Sequence, residues 1–280
     1  MKIQEAPSQI HVEATYGCPA QCWFCFTQVL ERDPYKYSFL SSETFNNIIT
    51  QIKNNNWNNT TIKFAVRGEP TLNPHLRYFF KQMQDKELQN PRVIITNGSF
   101  LDIELIKDLF QLGLNYLVID CYENQEEIHK TLLKEETLPE IIIYYEDNFE
   151  IYKHKKRTDQ KIILMGDLEE YHSIKKEKEF NNHAGNIIEE NFKEHGIPLK
   201  TTPINKNCNR PFRELAIHYN GTVVQCCEDT GEDNILGNIN KDSLYDIWIN
   251  NNKLNKIREE LNKNRRETIN PCFKCDYNGT

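Results

Sequence analysis

The chain has 280 residues, 38% of them hydrophobic and 11% aromatic, with 34 basic against 41 acidic side chains and a net charge of −7. That suits one large α/β domain, or a large domain with a small appendage, and argues against a dedicated nucleic-acid binder, which carries a basic face. No apolar run suits a signal peptide or a bilayer span, so a cytoplasmic protein with no membrane partner is expected; in that reducing compartment the nine cysteines point to metal or redox chemistry.

In chain order, Ile10 to Thr15 (IHVEAT) alternates as a strand and runs straight into GCPAQCWFC. Ser41 or Ser42 can cap a helix over SSETFNNIITQIKNN that places Phe45, Ile48, Ile49 and Ile52 on one face. Asn54 to Asn59 (NNNWNN) reads as a polar loop. Thr61 to Val66 is a second strand, followed by RGEPTLNP and a helix from His75 to Lys86. Arg92 to Thr96 is a third strand, broken by Asn97-Gly98-Ser99 before a helix from Ile103 to Leu112. Tyr116 to Asp120 is the fourth, and EIIIYY (140–145) and KIILM (161–165) are the fifth and sixth. The basic run Tyr152 to Arg157 reads as a solvated loop or strand edge. Strands alternating with helices predict right-handed crossovers and a parallel sheet, with functional residues at the C-terminal strand ends. From Asn181 the alternation stops, and NNHAGN leads into a segment holding five cysteines. Two domains are expected, 1–183 and 184–280.

Cys18, Cys22 and Cys25 are spaced C-x3-C-x2-C. Three thiolates can hold three irons of a four-iron four-sulfur cluster and leave the fourth open, which separates a reactive site from a closed one. A zinc site completed by a distant His11 or His75 satisfies the same three cysteines.

These residues resemble the radical S-adenosylmethionine superfamily, whose signature is C-x3-C-x-aromatic-C after the first strand. The resemblance implies a partial (β/α)6 TIM-like barrel. It also implies that Cys18, Cys22 and Cys25 bind the cluster, that S-adenosylmethionine docks on the open iron, and that Phe24 packs near the adenine. Reductive cleavage then gives methionine and a 5′-deoxyadenosyl radical, which takes a hydrogen atom from substrate. RGEPTL (67–72) is similar to the family's G-G-E-P stretch, so Gly68 and Glu69 are expected to receive the methionine ammonium group. Arg67 departs from the usual first glycine, and its side chain is expected near the cavity, toward substrate. TNG and VID carry Asn97 and Asp120 to the cofactor site, while Val118 stands where the family commonly has serine.

The second set is Cys208, then Gly221 with G-x4-C to Cys226, then C-x2-C at Cys272 and Cys275. A structural zinc ribbon fits this spacing as well as an iron–sulfur cluster does. The whole pattern, with its NNHAGN lead-in, resembles the SPASM/Twitch extension of radical S-adenosylmethionine enzymes. No cysteine follows Cys275, so a small one-cluster, Twitch-type domain is expected, with Cys227 the alternative to Cys226 as ligand. Such a cluster has no open iron; it relays an electron, accepts one from a substrate radical, or braces the cavity wall.

Cys121 follows the fourth strand. It is either a small buried apolar residue or, in a radical epimerase, a hydrogen-atom donor. His11, His183 and His218 stand singly and read as structural. The expected function is a radical S-adenosylmethionine oxidoreductase with two four-iron clusters and an external low-potential electron donor. A ribosomally made peptide is placed first as substrate and a sugar or aminocyclitol second, although only about nine residues precede the first strand, which argues against a built-in leader-peptide reader. The competing class is a non-catalytic iron–sulfur or zinc module.

Overall fold

In the computed structural model of the protein, the described residues are 1–20, 22–29, 36–120, 125–145, 148–152, 159–165, 182–196 and 207–277. The first strand run splits into β1 (Gln9–Val12) and the short β2 (Thr15–Tyr16), which pairs with β3 (Ser38–Phe39). The remaining strands are β4 (Thr61–Phe64), β5 (Arg92–Thr96), β6 (Tyr116–Asp120), β7 (Glu140–Tyr145), β8 (Asn148–Tyr152), β9 (Lys161–Met165), β10 (Glu214–Ile217), β11 (Thr222–Val224) and β12 (Ile235–Asn238). Ten of them form one sheet in the order β12-β11-β10-β1-β4-β5-β6-β9-β7-β8. From β10 to β7 every neighbouring pair is parallel; β8, β11 and β12 are antiparallel.

The six expected parallel strands are present, but the last two exchange places. β7 and β8 pair antiparallel, so the chain returns to the start of the sheet along β8 and re-enters as β9 between β6 and β7. A returning strand here does what a crossover helix does elsewhere in the sheet. Most of the 152–157 basic run lies outside the described residues.

One sheet face is covered by α1 (Ser42–Asn54), α2 (Leu76–Asp85) and α3 (Ile103–Gln111); α4 (Gln125–Leu133) follows β6. The period of two sends Ile10, Val12, Ile62, Phe64, Ile94, Leu117 and Ile119 into this core. Phe45, Ile48, Ile49 and Ile52 of α1 meet them, fully buried as their spacing predicted. Each such side chain contributes about 1.5–3 kcal/mol by leaving water. Ser41 caps α1 through Thr44 N at 3.1 Å, and Asp102 caps α3 through Leu105 N at 2.6 Å. The polar NNNWNN stretch conceals an anchor: Trp57 is 4% exposed and belongs to the same core.

The opposite face carries the alternate set: Gln9 and His11 of β1, Lys63 of β4, Glu214 and Ala216 of β10. β10 lies parallel beside β1, so the segment bearing the second cysteine set extends the same sheet. That segment adds α5 (Glu189–Glu194) and α6 (Asn252–Asn262), and a small separate core of Phe212, Ile257, Leu261 and Ile269 with Cys208 and Cys272. Among the described residues no helix is long and apolar enough to cross a membrane.

Candidate active site and cysteine centres

The chain leaves β2 at Gly17, whose φ of 109° favours glycine. Gly17 N donates to Arg67 O at 3.1 Å and Glu69 N to Gly17 O at 3.1 Å, tying the three-cysteine loop to the loop after β4. A Cβ on Gly68 would fall 2.2 Å from Thr15 O and 2.6 Å from Gly17 O, so only glycine allows this approach. Cys25 N donates to Cys22 O at 3.0 Å, closing a tight turn between the two cysteines.

Cys18, Cys22, Cys25, Phe24, Gly68, Glu69, Asn97 and Asp120 line one open cavity of about 160 Å³ at the C-terminal rim of the sheet. Thr27, Val66, Ile95 and Thr96 line it too. Glu69 is buried and its carboxylate is fully directed. Oε1 accepts from Thr71 N at 2.9 Å, from the Thr71 hydroxyl, and from Thr96 Oγ1 at 2.6 Å. Oε2 accepts from Asn97 N at 2.9 Å. Asn97 Nδ2 lies 3.3 Å from Cys18 Sγ, and Thr27 Oγ1 lies 3.0 Å from Cys25 Sγ. Thr96 was not singled out from the sequence; its place before Asn97-Gly98 was the only available signal. Cys121 lies outside the described residues.

Arg67 turns away from the position expected of it. Its Nε and Nη2 grip both oxygens of Glu13, at 2.7 and 2.9 Å, and Nη1 reaches Thr230 O at 3.0 Å and Glu232 Oε1 at 3.2 Å. The guanidinium lies over the Tyr16 ring. Burial alone would lower its pKa, but Glu13 and Glu232 raise it.

The second cysteine set is deep: Cys208, Cys226, Cys272 and Cys275 are all buried. Burial first, then mutual repulsion, pushes these thiols up: Cys272, with Cys208 and Cys275 near it, to about 12, and Cys226, with Cys227 and Cys272 near it, well above the usual thiol range. Four buried thiols so gathered could hold a bound cation or cluster, whose charge would favour their thiolate forms. Four close a site, while the rim set supplies only three. Either set could hold an iron–sulfur cluster of the corresponding kind. No disulfide joins the described cysteines. Arg266 braces the C-x2-C loop, donating to Cys272 O at 3.1 Å and Tyr277 O at 2.8 Å.

Cys227 faces elsewhere. Its sulfur contacts Arg210 Nη1, and with His11 and Glu214 it forms a group whose donor atoms all lie within 4.8 Å. Arg210 bonds Glu214 Oε1 at 3.2 Å and pairs with Glu228 at 3.3 Å, so a guanidinium already neutralises the group. Burial would raise the Glu214 carboxyl, but His11, Arg210 and Gln9 draw it down to about 2.

Residues 182–196 join the two cysteine loops. Asn182 Nδ2 donates to Lys274 O at 2.7 Å and Asn182 N to Asp276 Oδ2 at 2.9 Å. His183 sits 3.2 Å from Glu228 Oε2 while its ring meets Phe26 at 5.0 Å. Trp23, between Cys22 and Cys25, stacks on His195 at 3.9 Å and receives Asn191 Nδ2 on its carbonyl at 2.9 Å. His218 pairs with Glu232 at 2.8 Å and His11 with Glu214 at 3.4 Å, so each of the three histidines read as structural has a carboxylate partner.

A parallel α/β sheet with three cysteines and a fixed carboxylate on its rim, extended by a four-cysteine domain, defines a radical S-adenosylmethionine enzyme with an auxiliary cluster. The comparisons agree: the Radical SAM superfamily model matches residues 12–177, more than half of the chain, and the SPASM iron–sulfur cluster-binding domain matches 208–276. The chain belongs to the radical SAM superfamily, and its cofactors are S-adenosylmethionine and two iron–sulfur clusters. This replaces the non-catalytic module as a reading. The chain is 22% identical over 269 residues to the S-adenosyl-L-methionine-dependent 2-deoxy-scyllo-inosamine dehydrogenase of Niallia circulans, covering 96% of this chain and 92% of that protein. Among solved structures, BtrN in complex with AdoMet and 2-DOIA is similar in fold, with TM-score 0.72, 21% identity, and coverage of 97% of this chain and 93% of that one. SuiB of Streptococcus suis bound to precursor peptide SuiA matches with TM-score 0.57 and 14% identity, covering 98% of this chain and 70% of that one.

Proposed function

We propose that this enzyme oxidises a hydroxylated, sugar-like small molecule, with Cys18, Cys22 and Cys25 holding the S-adenosylmethionine-binding cluster and Cys208, Cys226, Cys272 and Cys275 the auxiliary one. The observation that carries it is the pairing of an open cavity lined by three cysteines with four buried cysteines on the segment that extends the same sheet, the two loops joined by residues 182–196. Similarity over 96% of the chain to an inosamine dehydrogenase supports putting a sugar or aminocyclitol ahead of a peptide, the reverse of the order read from the sequence.

When bound, the cofactors supply a 5′-deoxyadenosyl radical and an acceptor for one further electron. The chain's own residues bind and orient. Glu69, held by Thr71, Thr96 and Asn97 N, presents a carboxylate to the methionine ammonium group. Gly68 permits close backbone approach, Phe24 and Asp120 wall the cavity toward the nucleoside, and Asn97 contacts Cys18. An external low-potential donor reduces the enzyme, and two sets of free thiols suit the reducing cytoplasm.

The test is anaerobic reconstitution followed by iron and sulfide assay and incubation with dithionite, S-adenosylmethionine and a panel of aminocyclitols. About eight irons per chain and a ketone product formed one-to-one with 5′-deoxyadenosine are expected. Iron-loaded protein that makes no 5′-deoxyadenosine refutes the enzyme; 5′-deoxyadenosine without any oxidised cyclitol refutes the substrate class.

A further inference from the structure

Val66 has φ +94°, a left-handed backbone that a β-branched residue adopts only under restraint. Val66 lines the cavity beside Gly68 and Glu69, and the restraint lies in the residue between them. The Arg67 backbone N–H donates to Glu13 Oε1 at 3.2 Å while its side chain grips both oxygens of the same carboxylate. Glu13 is 0% exposed, and its Oε2 also receives Tyr219 N at 3.0 Å. Arg67 Nη1 then holds Thr230 O and Glu232, and the Arg67 carbonyl takes the Gly17 N–H. The turn is thus clamped from Glu13 just after β1, from the cysteine loop and from the segment that follows Cys226 and Cys227.

We propose that Arg67 is a positioning residue: by clamping Glu13 and the 230–232 loop it keeps the Val66 turn in its strained form, and so presets Gly68 and Glu69 for S-adenosylmethionine. Cofactor affinity then depends on the docked C-terminal segment, because two of the clamp's partners belong to it. This rests on the proposed assignment of the cavity to S-adenosylmethionine. Without the clamp the turn relaxes, the competent fraction falls, and the apparent dissociation constant rises in proportion. An ion pair of merely structural value would not respond to the backbone preference at residue 66; a clamp on a strained turn would.

The experiment measures the dissociation constant of S-adenosylmethionine for the anaerobically reconstituted full chain, by calorimetry and by the change in the cluster's electron paramagnetic resonance signal. Arg67→Ala is expected to weaken binding roughly tenfold at unchanged iron content. Adding Val66→Gly to Arg67→Ala is expected to recover most of that loss, since glycine takes positive φ freely. Should Arg67→Ala fail to fold, the isosteric Glu13→Gln takes its place with the same Val66→Gly partner. Binding unchanged in the single variant, or a loss that Val66→Gly leaves in place, overturns the clamp. Wild-type protein that loads iron and yet binds no S-adenosylmethionine overturns the functional reading, and the clamp with it.

Discussion

Cys226 and Cys227 are neighbours in the chain that turn to different partners. Cys226 lies with Cys272 among the buried thiols, while the sulfur of Cys227 meets Arg210 in the His11–Glu214 group. Cys226→Ala is therefore expected to drop the iron content from about eight to about four per chain, whereas Cys227→Ser keeps about eight. Iron and sulfide assay with low-temperature electron paramagnetic resonance decides between them, and the reverse outcome exchanges the two residues as ligands.

Thr96 donates to Glu69 Oε1 at 2.6 Å and accepts from Gly98 N at 3.0 Å. Thr96→Val keeps the shape and removes the donor, which costs about 1–1.5 kcal/mol in orientation of the carboxylate. S-adenosylmethionine binding should weaken about five- to tenfold at unchanged iron content, as read by calorimetry. Unaltered affinity means Thr71 and Asn97 N orient Glu69 without it.

Glu214 gives a pH dependence. Its folded carboxyl is drawn to about 2, below its ordinary 4.5, by His11, Arg210 and Gln9 against the burial that would raise it. A depressed carboxyl contributes stability that is complete above its unfolded value and is lost as pH falls through the folded one. Glu214→Gln should thus be less stable at pH 7 by on the order of 2–4 kcal/mol, with the gap to wild type closing between about pH 4.5 and 2. Urea unfolding of both proteins at each pH measures the gap, the acid sensitivity of the cysteine centres being common to both. A gap independent of pH shows that packing, not charge, is what Glu214 contributes.

Trp57 tests the core. Nearly enclosed after α1, its truncation in Trp57→Ala should cost about 3–5 kcal/mol, while Asn58→Ala at the exposed next position should stay within about 0.5 kcal/mol. Urea midpoints at constant slope report both, and equal small effects would place the indole outside the load of the core.

Much of the site could be read directly because its donors are local. Cys18, Cys22 and Cys25 share one loop, while Gly68, Glu69 and Asn97 follow, and Asp120 ends, strands whose period of two was visible. Trp57 was hidden by its polar neighbours, since a single anchor makes no period. The exchange of β7 and β9 was hidden because a strand's pairing partner is non-local, and both runs read alike as buried strands.

The amino-acid sequence by itself determined the parallel α/β architecture, the α1 face, the rim that collects the motifs and the two cysteine sets, all of which follow from spacing along the backbone. Only the tertiary structure decided which way each side chain of the Cys226–Cys227 pair faces, and that Arg67 spends itself on Glu13, Thr230 and Glu232 instead of facing the cavity. The reason is physical: ligand spacing is set by chain geometry over a few residues, whereas the partner of a buried charge is whichever opposite charge or carbonyl the packed fold brings within reach, here up to 165 positions away.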